Sequence, residues 1–263
     1  MSEAKPPSTP VPAATILIVR DGADGLEVFM VKRHHQIDFV AGALVFPGGK
    51  VHAGDLDAAL GNHMEGAEGW DEEARALAAA AIREAFEESG ILLAREGEGS
   101  AFVSEQRLAT LDPYRPRLEK GEVGLVEMLR AEGLRLACDC LVPFAHWITP
   151  PHMPKRFDTH FFLAQAPQGH AGRHDGRESV DSIWIAPQAA IADRKRWNVI
   201  FPTKLNLLKL AEQNDVASAL RAARARPPVT VTPWIEEGPD GPLLKIREDA
   251  GYSQTSALLR TAL

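Results

Sequence analysis

The sequence predicts an α+β fold in which a mixed β-sheet lies between helices. Three observations carry that reading. The chain opens on two β-rich runs joined by a turn, then commits to one long helical segment, and after further strands it turns to helices. A regular βαβ alternation, the mark of a doubly wound parallel sheet, is missing, and so is any internal repeat of solenoid period.

Taken in order, AATILIVRDG and LEVFMVKR read as a hairpin or neighbouring strands around a Gly/Asp turn. The segment from Asp71 to Gly90 is the plainest helix. Asp71 gives the entry signal, acidic residues fill the first turn, strong helix formers follow, and Gly90 is the stop. Residues 104 to 133 read as largely helical around a break at Asp112-Pro113. LRLACDCLVPFAHWI then returns to strand, with Cys138 and Cys140 alternating on one face as two reduced, buried thiols. RFDTHFFLAQ is another strand, followed by a polar loop and the short strand SIWIA. Helices are expected around 187 to 196, 202 to 212 and 214 to 225, and the extended runs VTVTPWIEE and LLKIR flank the turn GPDGP.

Size and charge narrow the function. A chain of 263 residues can bury a sizeable core. With 29 basic and 36 acidic residues it lacks the cationic excess that a nucleic acid polymer requires. A small anionic ligand needs only local cations. Two cysteines give neither a disulfide framework nor a four-ligand zinc site. The opening MSEAKPPSTPVP has no signal-peptide core and no later run reaches membrane-spanning length, so a cytoplasmic protein without membrane contact is expected. Homodimerisation is compatible with the sequence, which does not fix the oligomeric state.

The chemistry centres on two stretches. VFPGGKVHAGD, Val45 to Asp55, looks at first like a phosphate loop, but Leu44 stands where a P-loop has its first Gly and Val51 where it has Ser or Thr. On the long helix lies Arg83-Glu84-Ala85-Phe86-Glu87-Glu88-Ser89-Gly90. Glu84, Glu87 and Glu88 fall within an arc of roughly 100°, and Arg83 stands one turn from Glu87. On an exposed helix face such repulsion costs only a few tenths of a kcal/mol. In a partly closed site, a carboxylate pair about 5 Å apart repels by roughly 3 kcal/mol at an effective dielectric near 20. A closed site therefore needs cations, and hard oxygen ligands suit Mg²⁺ or Mn²⁺.

Together, PGGKVHAGD and REAFEESGI resemble the Nudix box, G-x5-E-x7-R-E-U-x-E-E-x-G-U with U aliphatic. The resemblance implies a Nudix fold and a loop-helix-loop that holds divalent cations for water to cleave the diphosphate of a small molecule. By that resemblance Glu84, Glu87 and Glu88 are the metal-binding carboxylates, and Gly48 lends a carbonyl oxygen. Arg83 orients the cluster, and Gly49 permits a tight backbone path. Two departures stand out. Asp55 replaces the box Glu, and residues 56 to 82 place 27 residues where the box has 7, an excess of 20. The excursion 56 to 70, rich in Gly and short polar residues, is expected outside the core, since doubling a loop costs only about 0.6 kcal/mol.

A box split in this way, followed by a helical insert, a W-I-T-P segment and RFDTHFFLA, is similar to the peroxisomal-type coenzyme A diphosphatase group and its bacterial relatives. The general coenzyme A signature before the glycines is incomplete: Gly42, Val45 and Phe46 fit, while Asp38 and Val40 replace its Arg and His. The implied organisation is a tail at 1 to 11, a hydrolase domain at 12 to 200 with insertions at about 56 to 70 and 101 to 134, and a helical and hairpin extension at 201 to 263 packed on the same domain. Coenzyme A or an acyl derivative is the preferred substrate; ADP-ribose or another nucleoside diphosphate sugar is the alternative, and a non-catalytic nucleotide sensor is the rival class. Glu178 is a further candidate ligand or general base, with Asp181 its neighbour and rival. Arg33, Lys155 and Arg156 are candidate phosphate contacts, with Lys32 beside them. Trp147, Phe157, Phe161 and Phe162 read as core or pocket wall, since no basic stripe accompanies them.

Overall fold

The computed structural model describes residues 8–34, 42–193 and 195–262. Asp38, Val40 and residues 1–7 of the expected tail lie outside the described residues. The first hairpin is β1 (Val11–Gly22) and β2 (Gly25–Arg33). Short strands β3 (Leu44–Val45) and β4 (Gly48–Lys50) follow, then a turn-rich excursion ending in β5 (Met64–Glu65), and helix α1 (Glu72–Ser89). An insert of β6 (Ala94–Glu96), α2 (Glu105–Leu111), α3 (Arg115–Glu119), α4 (Leu125–Glu132) and β7 (Leu134–Ala137) leads to β8 (Val142–Ile148), β9 (Phe157–Gln165) and β10 (Ser179–Ile185). The chain continues through α5 (Pro187–Ala192), α6 (Phe201–Leu210), α7 (Val216–Ala225), β11 (Thr230–Val231), the strands β12 (Trp234–Gly238), β13 (Gly241–Lys245) and β14 (Ser256–Leu258), and α8 (Leu259–Ala262).

The main sheet runs β10-β2-β1-β9-β8-β11, with β3 beside β2 and β4 beside β1. It is mixed because β1 and β9 are parallel, from Val11 opposite Phe157 to Val19 opposite Gln165, while β1 and β2 are antiparallel. Alternation along β1 sends Ala14, Ile16 and Ile18 to one core and Leu17 and Val19 to the other. The first core is covered by α1 and the insert, the second by α5, α6 and α7 together with Leu244, Ile246 and Tyr252. The layers are therefore helix, sheet, helix.

Helix α1 forms where its caps say it should. The Asp71 carboxylate accepts from the Ala74 N–H at 2.8 Å, and Gly90 takes the left-handed conformation at φ 68°, which a residue with a Cβ adopts at a cost. Between the caps, Ala78 to Ala81 are fully buried, so the helix lies close on the sheet. Ile82 and Phe86 anchor it, each worth about 1.5–3 kcal/mol of apolar burial.

Two expectations need correction. Cys138 and Cys140 lie in a 3₁₀ turn between β7 and β8, with Cys138 buried and Cys140 partly so. The apolar run is interrupted because the chain must change sheets there: β7 pairs with β5 and β6, whereas β8 pairs with β9. The excursion 56 to 70 is not wholly outside the core either. Leu60, Met64 and Ala67 are buried against the α1 side, and Met64 pairs with Leu136. Three apolar side chains spaced along a polar stretch suffice to dock it.

Candidate active site

The loop from β4 and the last two turns of α1 meet at a cleft of about 560 Å³, lined among others by Gly48, Gly49, Glu84, Glu87, Glu88, Arg33, Lys155, Asp175 and Glu178. Arg83 organises its floor. The guanidinium grips Asp55 with two hydrogen bonds of 2.9 Å, gives one N–H to Glu84 at 2.8 Å, approaches Glu87 at 3.2 Å and donates to the Lys50 carbonyl at 2.9 Å. All its N–H groups thus have acceptors. The shorter Asp55 reaches Arg83 because its own 3₁₀ turn brings it in, held by the His52 N–H at 2.8 Å. The long excursion begins directly after Asp55, and the contact with Arg83 is made all the same.

Gly48 and Gly49 matter for space rather than for backbone freedom. Neither has a positive φ. A Cβ on Gly49 would strike the Glu84 carboxylate, and one on Gly48 would stand 2.6 Å from the Ala14 carbonyl oxygen. The Gly48 N–H donates to Glu88 at 3.0 Å. Loop and helix are in this way closed against each other through two glutamates.

The electrostatics are strained toward cation binding. Burial pushes Glu87 up to about 8, with the charge and hydrogen bonds of Arg83 offsetting part of the rise. Burial also raises Glu84, and it raises Glu88 well above the carboxylate range, with the Glu84 charge adding to the effect and the Gly48 N–H opposing it. Arg83 itself is driven upward: burial alone would lower it, but Asp55, Glu84 and Glu87 outweigh that. One guanidinium faces more carboxylates than it can neutralise. Buried carboxylates of this number, with space between a glycine loop and a helix, fit a hard divalent cation.

The other sequence candidates separate cleanly. Glu178 is exposed but lines the cleft, and its charge raises both Glu84 and Glu88. Asp181 spends its carboxylate on the Ser182 N–H and is not among the lining residues. Arg33 lines the cleft; its positive charge lowers Glu88, and its buried Nε has no hydrogen-bond partner among the described residues. Lys155 also lines the cleft, as does Phe157, whereas Lys32 does not. Arg156 is committed elsewhere, to the Thr149 carbonyl at 3.0 Å and the Ser8 carbonyl at 2.7 Å. Trp147, Phe161 and Phe162 are core residues.

The sequence reading missed Asp175, Glu119, Thr15 and Thr159, all of which line the cleft. Asp175 left a signal, the Asp-Gly turn of the loop before β10. Its carboxylate accepts from the N–H groups of Glu178 and Ser179 at 3.0 and 2.9 Å and so sets the position of Glu178. Glu119 left none, because it reaches the cleft from the insert.

A mixed sheet between helices, with a glycine loop feeding a helix of clustered glutamates, defines the Nudix hydrolase class. Within it, the family described as the NUDT19 Nudix domain matches residues 62–205, and the chain belongs to that family. It is 24% identical over 222 residues to a protein of Xenopus laevis described as acyl-coenzyme A diphosphatase NUDT19, covering 67% of this chain and 57% of that one. A Gallus gallus protein of the same description is 27% identical over 216 residues, covering 63% and 55%. The chain thus spans little more than half the length of these curated relatives. A Nudix hydrolase structure from Alicyclobacillus acidocaldarius superposes with a TM-score of 0.64 at 28% identity, over 84% of this chain and 97% of that one. Among the described residues no helix is long and apolar enough to cross a membrane.

Proposed function

We propose that the protein hydrolyses the diphosphate of coenzyme A or an acyl-coenzyme A, giving 3′,5′-ADP and the corresponding 4′-phosphopantetheine. The observation that carries this reading is the cleft itself, where three buried glutamates face two cations, Arg33 and Lys155, across one volume. Glu84, Glu87 and Glu88, with Gly48 beside them, are the residues that would hold Mg²⁺ or Mn²⁺. A divalent ion there supplies charge neutralisation of the diphosphate oxygens and a more acidic attacking water.

The chain's own groups do the rest. Glu87, Glu88 or Glu178 takes the proton of the water whose oxygen bonds to one phosphorus, while the bridging P–O bond breaks and the other phosphate leaves. Arg83 keeps Glu84 and Glu87 aimed into the cleft through its grip on Asp55. Arg33 and Lys155 meet the remaining phosphate charge, including the 3′-phosphate that ADP-ribose lacks. Phe157 offers apolar wall. The acyl-coenzyme A diphosphatase description of two relatives supports the substrate class.

The test is kcat/KM for coenzyme A, dephospho-coenzyme A and ADP-ribose at one Mg²⁺ concentration, with products identified by mass spectrometry. Coenzyme A is expected to lead. Preference for ADP-ribose overturns the substrate and leaves the hydrolase; tight binding without turnover of any of the three makes the protein a sensor.

A further inference from the structure

We propose that His146, Asp158 and His160 form a second metal site, for a first-row transition cation of the Zn²⁺ type, on the face of β9 turned away from the catalytic cleft. Among the described residues they are the one group of three candidate ligands whose donor atoms all lie within 4.8 Å of one another. Alternation along β9 turns Phe157 and Thr159 toward the cleft and Asp158 and His160 the other way. His146 joins them from the neighbouring strand, directly opposite His160 in the β8/β9 register.

The donors converge. His146 Nε2 lies 2.5 Å and His160 Nε2 3.8 Å from the same oxygen, Asp158 Oδ1, and the two rings stack at 4.0 Å with 26° between their planes. Zn²⁺ sits about 2.0–2.1 Å from each ligand, which places ligands about 3.3 Å apart in a tetrahedron. The observed spacings bracket that value, so small side-chain rotations admit the ion. Two imidazoles and one carboxylate are a donor set for zinc or its neighbours rather than for Mg²⁺.

A supporting contact is also present. His146 Nδ1 lies 2.8 Å from Thr230 Oγ1 on β11. A hydroxyl can donate or accept. Without metal, Thr230 can donate to Nδ1 while Nε2–H points at Asp158; with metal, Nδ1–H can point at Thr230 and leave the Nε2 lone pair for the ion. Such a partner fixes the tautomer of a ligating histidine. The side chains of His146, Asp158 and His160 are 19%, 33% and 33% exposed, so an ion from solvent can reach them. Bound there, it would staple β8 to β9 and, through Thr230, to the start of the C-terminal strands.

The experiment uses the full chain, stripped with chelator, loaded with ZnCl₂ and desalted into excess Mg²⁺. The wild type is expected to keep one zinc per chain. His160→Gln and Asp158→Asn are each expected to lose it, Thr230→Val to bind it about 10–100-fold more weakly, and Glu87→Gln to keep it. X-ray absorption of the zinc-loaded wild type then reads the ligands without relying on any variant folding. Two imidazoles in the shell support the site. An all-oxygen shell, or no zinc retained by the wild type, overturns it, as does full retention by folded His160→Gln and Asp158→Asn.

Discussion

Arg83 and Arg95 each hold an aspartate through two parallel hydrogen bonds, and they stand in opposite electrostatic situations. Arg95 binds Asp139 at 2.7 and 2.9 Å and reaches Glu65 at 3.2 Å. It thereby ties the excursion before α1 to the β5-β7-β6 sheet, with its guanidinium over the Phe102 ring. The carboxylates it serves remain 44% and 31% exposed, and its hydrogen bonds pull Asp139 below the usual carboxylate range. Around Arg83 the side chains of Asp55, Glu84 and Glu87 are 1%, 10% and 7% exposed, and the glutamates are pushed up. Both clusters are arginine forks. What sets the Arg83 cluster apart is the surplus of buried acid.

Removing the forks should separate them most strongly. Arg83→Met strands Asp55 and its neighbours as uncompensated buried charge, at a cost of about 3–5 kcal/mol. Arg95→Met leaves carboxylates that water still reaches, and about 1–2 kcal/mol is expected. Urea unfolding of both variants measures the gap; equal losses would erase the distinction.

The second contrast is catalytic. Glu87→Gln and Glu88→Gln should each lower Mg²⁺-dependent turnover about a hundredfold or more, since a metal's charge stabilisation is worth several kcal/mol. Neither should unfold the protein, because each replaces a buried acid in a crowded site by a neutral side chain of nearly the same size. Arg95→Met should turn over within about twofold of wild type once folded. Near-normal rates in both glutamine variants would remove these residues from the mechanism.

How much of this was legible follows from range. The caps of α1 and the arc of Glu84, Glu87 and Glu88 are local, and local signals survive in sequence. The Arg83 to Asp55 contact was legible only through the resemblance, because 27 residues intervene. Glu119 and Thr159 reach the cleft by tertiary packing and left no pattern. Arg156 looked like a phosphate contact because a basic residue at a strand end carries no mark of its partner. Its guanidinium is occupied by carbonyls of Ser8 and Thr149 instead. The Cys138 to Cys140 turn was hidden by apolar residues that suit a strand equally well.

A third prediction uses pH. Glu87 is raised to about 8 in the folded, metal-free protein and ionises near the ordinary carboxylate range when unfolded. Between those values the folded state holds the extra proton, so stability falls as pH rises, by up to about 1.4 kcal/mol per pH unit for one proton. Thermal unfolding in chelator from pH 5 to 8 should show this decline, and Glu87→Gln should make it shallower, the remainder coming from Glu84 and Glu88, which burial also raises. Mg²⁺ competes with that proton, so its affinity should climb over the same range. A profile identical in wild type and Glu87→Gln would contradict the burial argument.

The smallest effect tests which cations face substrate. Arg33 lines the cleft with an Nε that has no hydrogen-bond partner among the described residues, whereas Arg156 is bound to backbone carbonyls. A charge-assisted hydrogen bond to phosphate is worth about 1.5–3 kcal/mol, so Arg33→Met should raise KM for coenzyme A about tenfold or more. Dephospho-coenzyme A should feel the change less if Arg33 meets the 3′-phosphate, and equally if it meets the diphosphate. Arg156→Met should leave KM for both substrates near wild type and lower thermal stability slightly, because it frees Ser8 from the start of β9. A KM rise with Arg156→Met matching that of Arg33→Met would mean that the cleft extends past Lys155 and that the backbone contacts of Arg156 give way when substrate binds.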